Sequence, residues 1–166
     1  MTHADRFDAA PHAFPYTAWI ARHGPRAFPV QVTMPDSQVF LDTLDTSLVA
    51  IERWLSGADT TGAALDALMA PFAPGFTMIL TDGRAFDRDG TRELFAKLAG
   101  AKAGLRITLS DVRVLASDDR HAVITYLEAQ HAATGELPAR RATAVFARDT
   151  AGAVRWTHLQ ETFCTA

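Results

Sequence analysis

From Pro35 onward the apolar positions Phe40, Leu44, Leu48, Ile51 and Leu55 recur at three- and four-residue spacing, while Asp42, Asp45, Glu52 and Arg53 fall mostly elsewhere. That spacing predicts an amphipathic helix. Asp36 or Ser37 can cap its start, and Gly57 ends it. A shorter helix follows from about Thr61 to Ala70, with Leu65, Leu68 and Met69 on one side and Pro71 closing it. The run Phe76 to Leu80 reads as a short strand, and Asp82-Gly83 is the preferred dipeptide for a tight hairpin into Arg84-Ala85-Phe86. Asp87 or Asp89 then caps a third helix near Gly90 to Leu98, whose apolar side is Leu94, Phe95 and Leu98. Gly100 and Gly104 mark its exit.

The period changes to two after Gly104. Leu105, Ile107 and Leu109 alternate with polar residues, and the phase then slips by one so that Val112 and Val114 carry the alternation onward. A slip at Ser110-Asp111 predicts a β-bulge, which bends a strand and lets a sheet curl. The second long strand runs from His121 to His131, with Val123, Thr125 and Leu127 on one side and Ile124 and Tyr126 on the other; both faces are semi-apolar, so both are expected to be covered. The segment around Thr134 to Pro138 is read as a connection to a third strand, Arg140 to Arg148, and Asp149 to Gly152 turns into the last, ending near Phe163. A helical first half followed by long antiparallel strands predicts an α+β fold in which a curved sheet wraps around helices.

Residues 1–35 differ from the rest. Five prolines (Pro11, Pro15, Pro25, Pro29 and Pro35) interrupt any helix, yet Phe7, Phe14, Tyr16, Trp19, Ile20, Phe28 and Val30 are more apolar than a disordered tail carries. The arm reads either as a partly ordered tail or as a segment packed on the domain or a neighbouring subunit near a pocket mouth. The domain proper is taken as 36–166. At 166 residues with 48% hydrophobic and 21% charged positions, the chain suits one globular domain. The formal charge is −3 and the basic residues are scattered, so the footprint of a nucleic-acid binder is missing. A single cysteine, Cys164, forms no internal disulfide. With no leader-like apolar run and no span of membrane length, a cytoplasmic protein that engages neither membrane nor nucleic acid is expected.

The order helix, helix, short hairpin, helix, four long strands, with a closing Trp156-Thr157-His158-Leu159 segment, resembles the NTF2-like superfamily, and within it the SnoaL-like or DUF4440-like domains. The resemblance covers about residues 36–163. It is carried by Phe72-Ala73-Pro74-Gly75-Phe76 before the first strand, Asp87-Arg88-Asp89-Gly90-Thr91 opening the third helix, and the final strand. The resemblance implies a cone-shaped, cystatin-like fold of three helices on a curved antiparallel sheet, a pocket between sheet and helices, and homodimers through the outer sheet face. It does not imply one activity, since such folds host isomerases, cyclases, dehydratases, hydrolases and binding modules.

Candidate chemistry concentrates on the last strands. If the final turn pairs Asp149 with Gly152, one face holds Val145, Thr143 and Arg141 opposite Trp156, His158 and Gln160. The other holds Arg140, Ala142, Ala144 and Phe146 beside Thr157, Leu159, Glu161 and Phe163. Either face can line a cavity on this pattern. His158, with an ordinary pKa of about 6.5, and Glu161, a carboxylate in an apolar strand, are the catalytic candidates for proton transfer. Glu128 is a second such carboxylate, and Tyr126, Arg140 or Arg141 could steady developing charge. With Trp156 and Gln160 these complete the ligand-binding candidates. The histidines form no zinc motif, and no phosphate-binding loop, dinucleotide fingerprint or nucleophile elbow occurs, so no metal and no cofactor are expected. The first helix contains no tyrosine, which counts against the ketosteroid-isomerase arrangement. The expectation is a homodimer that binds a small, largely apolar molecule, with cofactor-free isomerisation, cyclisation or dehydration as the enzymatic reading and a non-catalytic binding or assembly module as the alternative.

Overall fold

A computed structural model describes residues 37–164; the arm at 1–35 therefore lies outside the described residues. Three helices, α1 (Gln38–Ser56), α2 (Gly62–Met69) and α3 (Arg88–Lys97), accompany six strands: β1 (Phe72–Ile79), β2 (Ala85–Asp87), β3 (Arg106–Ser117), β4 (His121–Ala132), β5 (Gly135–Arg148) and β6 (Val154–Phe163). They form one open sheet in the order β2-β1-β6-β5-β4-β3. The long strands pair antiparallel with their sequence neighbours, and β1 runs parallel to β6, so the last strand sits inside the sheet.

Local chemistry accounts for the helix ends. Ser37 occupies the first cap without a side-chain bond to the helix, and Gly57 closes α1 at φ +84°, a left-handed conformation that glycine adopts without Cβ strain. Thr61 caps α2 through Ala64 N–H. Asp87 caps α3 by accepting from Gly90 N–H at 2.8 Å, and the fully buried Thr91 donates its hydroxyl to the Asp87 carbonyl at 2.7 Å. The Asp87 to Thr91 segment is thus the joint between β2 and α3.

The core lies between the helices and one face of the sheet. Phe40, Leu44, Leu48 and Leu55 of α1 are buried, as is Phe95 of α3. Against them stand Ala122, Ile124 and Tyr126 of β4, Ala142, Ala144 and Phe146 of β5, and Trp156 of β6. The Trp156 and Phe146 rings meet at 4.6 Å between centroids. Buried indole N–H groups need acceptors: Trp156 Nε1 donates to Ser47 Oγ at 3.0 Å and Trp54 Nε1 to the Phe95 carbonyl at 2.8 Å.

The bulge expected at Ser110-Asp111 is present. Pairing of β3 with β4 slips between Ser110 and Arg113, and Asp111 takes φ +51° with its carboxylate bound to Arg113 and Arg141. Two expectations are corrected. The Thr134 to Pro138 segment is not a loop: β4 turns tightly, with Ala132 opposite Gly135, and β5 begins at Gly135. Pro138 fits there because pairing to β4 slips beside it and β6 pairing starts only at Arg140, so its missing N–H costs no ladder bond. The register of the last hairpin also differs. Arg148 pairs with Val154, because the Asp149 carboxylate gathers the Ala151 and Ala153 N–H groups into a wider turn. Phe146 then lies opposite Trp156 and Val145 opposite His158, so one extra residue, Thr157, is absorbed as a bulge. That bulge moves Trp156 to the core face, which it shares with Leu159 and Glu161 and not with His158 and Gln160.

Candidate functional site

A cavity of about 120 Å³ lies between the helices and the core face of the sheet. Its walls are apolar: Leu48, Ile51 and Leu55 come from α1, Leu94 and Phe95 from α3, and Met78, Trp156 and Leu159 from the sheet. The i, i+3, i+4 spacing that makes α1 amphipathic is what turns this stripe onto the cavity.

One end is charged. Lys102, in the loop before β3, donates from Nζ to Gln130 Oε1 at 2.7 Å, and Gln130 Nε2 donates to Glu128 Oε1 at 2.6 Å. Arg140 donates from Nη1 to Glu161 at 3.1 and 3.3 Å, and its Nε stands 3.7 Å from Glu128 Oε1, too far for a hydrogen bond. Glu128, Gln130 and Glu161 are all buried. Alternation on β4 brings Glu128 and Gln130 to the face that also carries Tyr126, and pairing of Ala142 with Glu161 brings Glu161 beside them.

Burial pushes the Glu161 carboxyl above the usual carboxylate range, outweighing the guanidinium beside it, and Glu128 adds to the rise. Loss of solvation lowers the Lys102 ammonium, with Arg140 adding repulsion and the two carboxylates opposing it. Burial, followed by the negative charges of Glu128 and Glu161, drives the Tyr126 hydroxyl well above its ordinary value, so it is a neutral donor at any working pH. It lines the cavity. The arrangement can hold a mostly apolar guest by its walls and hydrogen-bond one polar group at its end. It can also move a proton through a carboxyl poised to accept or release one.

Of the sequence-derived candidates, Glu161, Glu128, Tyr126, Arg140 and Trp156 come together on the cavity. His158, Arg141 and Gln160 lie on the opposite face. There His158 Nδ1 is 2.8 Å from Thr77 Oγ1, Arg141 is tied to Asp111 at 2.7 Å, and Gln160 is exposed. Lys102 and Gln130 were not anticipated. Gln130 could have been found by stepping two residues on from Glu128. Lys102 carries a compositional signal: the chain has sixteen basic residues, of which only Lys97 and Lys102 are lysines.

Among the described residues no cluster of three or more His, Cys, Asp or Glu is placed to hold a metal ion, and no helix is long and apolar enough to cross a membrane. A search of curated proteins found no match. Among solved structures, an NTF2-like protein of unknown function from Pseudomonas aeruginosa is 40% identical, aligns over 76% of this chain and 99% of its own, and superposes with a TM-score of 0.71. An NTF2-like protein from Cytophaga hutchinsonii (17% identity, 79% and 100% coverage, TM-score 0.62) shares the fold alone. So does a candidate dehydratase of the NTF2-like family from Streptomyces avermitilis (17%, 80% and 100%, TM-score 0.60). A family profile described as a SnoaL-like domain matches residues 50–163, which contain the whole sheet and every polar residue of the cavity. With that match and the Pseudomonas relative, the chain belongs to the SnoaL-like family of NTF2-like proteins.

Proposed function

We propose that this protein binds a small, largely apolar molecule with one polar group in the sheet–helix cavity, and that any chemistry there is proton transfer by Glu161. The observation that carries the reading is a buried, raised-pKa carboxyl, fixed by Arg140, at the polar end of otherwise apolar walls. At about 120 Å³ the cavity is somewhat smaller than the apolar cavity of about 150 Å³ that admits benzene, so the guest has at most a single ring. Tyr126 donates to the guest's oxygen while Glu161 takes or returns a proton, a division of labour that fits isomerisation or dehydration without a cofactor. His158, Arg141 and Gln160, on the other face, have no part in that step.

Titrating benzyl alcohol into the protein while recording amide ¹H–¹⁵N spectra tests the reading. Saturable shifts at Tyr126, Glu161 and Leu98 are expected, weaker in Glu161→Gln; shifts that stay linear or scatter over the surface would overturn it.

The outer face supports a second proposal, association with another copy of this chain. Val123, Leu127 and Val145 are half-buried there, yet none belongs to the core cluster that the described helices complete. A half-apolar sheet face of this kind can meet its own copy about a two-fold axis.

A further inference from the structure

We infer that Lys102 is an amine nucleophile that captures a small apolar aldehyde in the cavity as an imine. The inference rests on the cavity reading above and names a substrate class for it.

The choice of residue is the first argument. Fourteen of the sixteen basic side chains are arginine, a group that never loses its proton in a protein. Lysine stands at the cavity, and the remaining lysine, Lys97, is on the surface with its side chain 76% exposed. Geometry is the second. Glu128, as an acceptor, fixes the Gln130 amide with Nε2 towards itself, so Oε1 faces Lys102 and Nζ must be the donor in that bond. One N–H of Lys102 is thereby committed, and in the neutral amine the lone pair is left for the cavity. Surroundings are the third. Loss of solvation, and then the Arg140 guanidinium, favour the neutral amine over the opposing pull of Glu128 and Glu161; desolvation and a neighbouring cation are the two means by which a lysine is activated towards carbonyl compounds.

The Nζ lone pair attacks the carbonyl carbon, the C=O pair moves to oxygen, and a proton passes from nitrogen to that oxygen to give a carbinolamine. Glu161, protonated, gives its proton to the hydroxyl, which leaves as water while the nitrogen lone pair forms the C=N bond. The products are an iminium on Lys102, water and the Glu161 carboxylate. Tyr126, which lines the same cavity, supplies a neutral O–H donor for that oxygen.

The full chain is incubated near neutral pH with benzaldehyde and sodium cyanoborohydride, whose hydride reduces the C=N bond to a stable benzylamine, and the sites are mapped by peptide mass spectrometry. Benzylation at Lys102 exceeding that at Lys97 severalfold is expected, because the cavity holds the aldehyde beside Nζ of Lys102 while Lys97 stands in solvent. It should persist in Lys97→Arg, vanish from the cavity in Lys102→Arg, and be suppressed at Lys102 alone by excess benzyl alcohol. If benzyl alcohol still shifts the cavity amides but Lys102 is labelled no faster than Lys97, the imine is wrong and the cavity reading stands. If benzyl alcohol neither binds nor protects, both fail.

Discussion

Glu161 carries the sharpest consequence of burial at the scale of single residues. Its folded pKa lies above the ordinary glutamate value of 4.5, so the native state holds the proton more tightly than the unfolded chain. The stability linked to this group is therefore full below the unfolded pKa and is lost as pH rises through the folded one. Comparing wild type with Glu161→Gln by urea unfolding removes the opposite contributions of Asp82, Asp111, Asp118 and Asp149, whose pKa values hydrogen bonds to neighbouring groups lower. The wild-type advantage should shrink from pH 4.5 upward and then level off; a difference independent of pH would contradict a raised pKa. Arg140 is the partner on which both buried carboxylates depend. Arg140→Met should cost about 3–5 kcal/mol in denaturant unfolding, the usual penalty for orphaning a buried charge, with part recovered in the double variant with Glu161→Gln. Polar residues within apolar strands, such as Glu128, Glu161 and Arg140, were visible in the sequence because alternation makes them stand out. Lys102 lacks that contrast, because a loop has no periodicity against which it can be read, and its one mark is being one of only two lysines.

At the scale of elements, the bulge at Thr157 decides which side chains of β6 reach the cavity. Trp156 precedes it and Leu159 and Glu161 follow it, all on the core face, while Thr157 donates its hydroxyl to the Val145 carbonyl at 3.0 Å. Removing Thr157 restores plain alternation without exchanging faces. Its deletion should leave a cooperative urea transition at a modestly lower midpoint, whereas deleting Gln160 turns Glu161 outward and should abolish cooperativity. Equal damage from the two deletions would refute the register. Counting residues from the Asp149 turn missed this bulge, since no glycine or phase slip marks Thr157, and one wrong step in a period-two pattern inverts a face. Helices α1 to α3 and the slip at Asp111 were legible because their caps and apolar spacing are local. The β1–β6 pairing was not, because its partners are about 80 residues apart in sequence.

At the scale of the whole domain, the two faces of one sheet differ: the core face bounds the cavity, and the outer face is the surface proposed for association with a second copy. Sedimentation velocity should report a dimer that Val145→Arg converts to monomer while benzyl alcohol binding is retained. A monomeric wild type at micromolar concentration would remove the assembly proposal without touching the cavity. The position of β6 has a further bearing on how such a chain is made. It is the last described strand to leave the ribosome, yet it lies between β1 and β5. Until it arrives, both neighbours present unpaired edges of the kind that recruit other chains. The hydrophobic centre cannot close around Trp156 either, so nascent chains stalled at the Asp149 turn should be the form on which chaperones act.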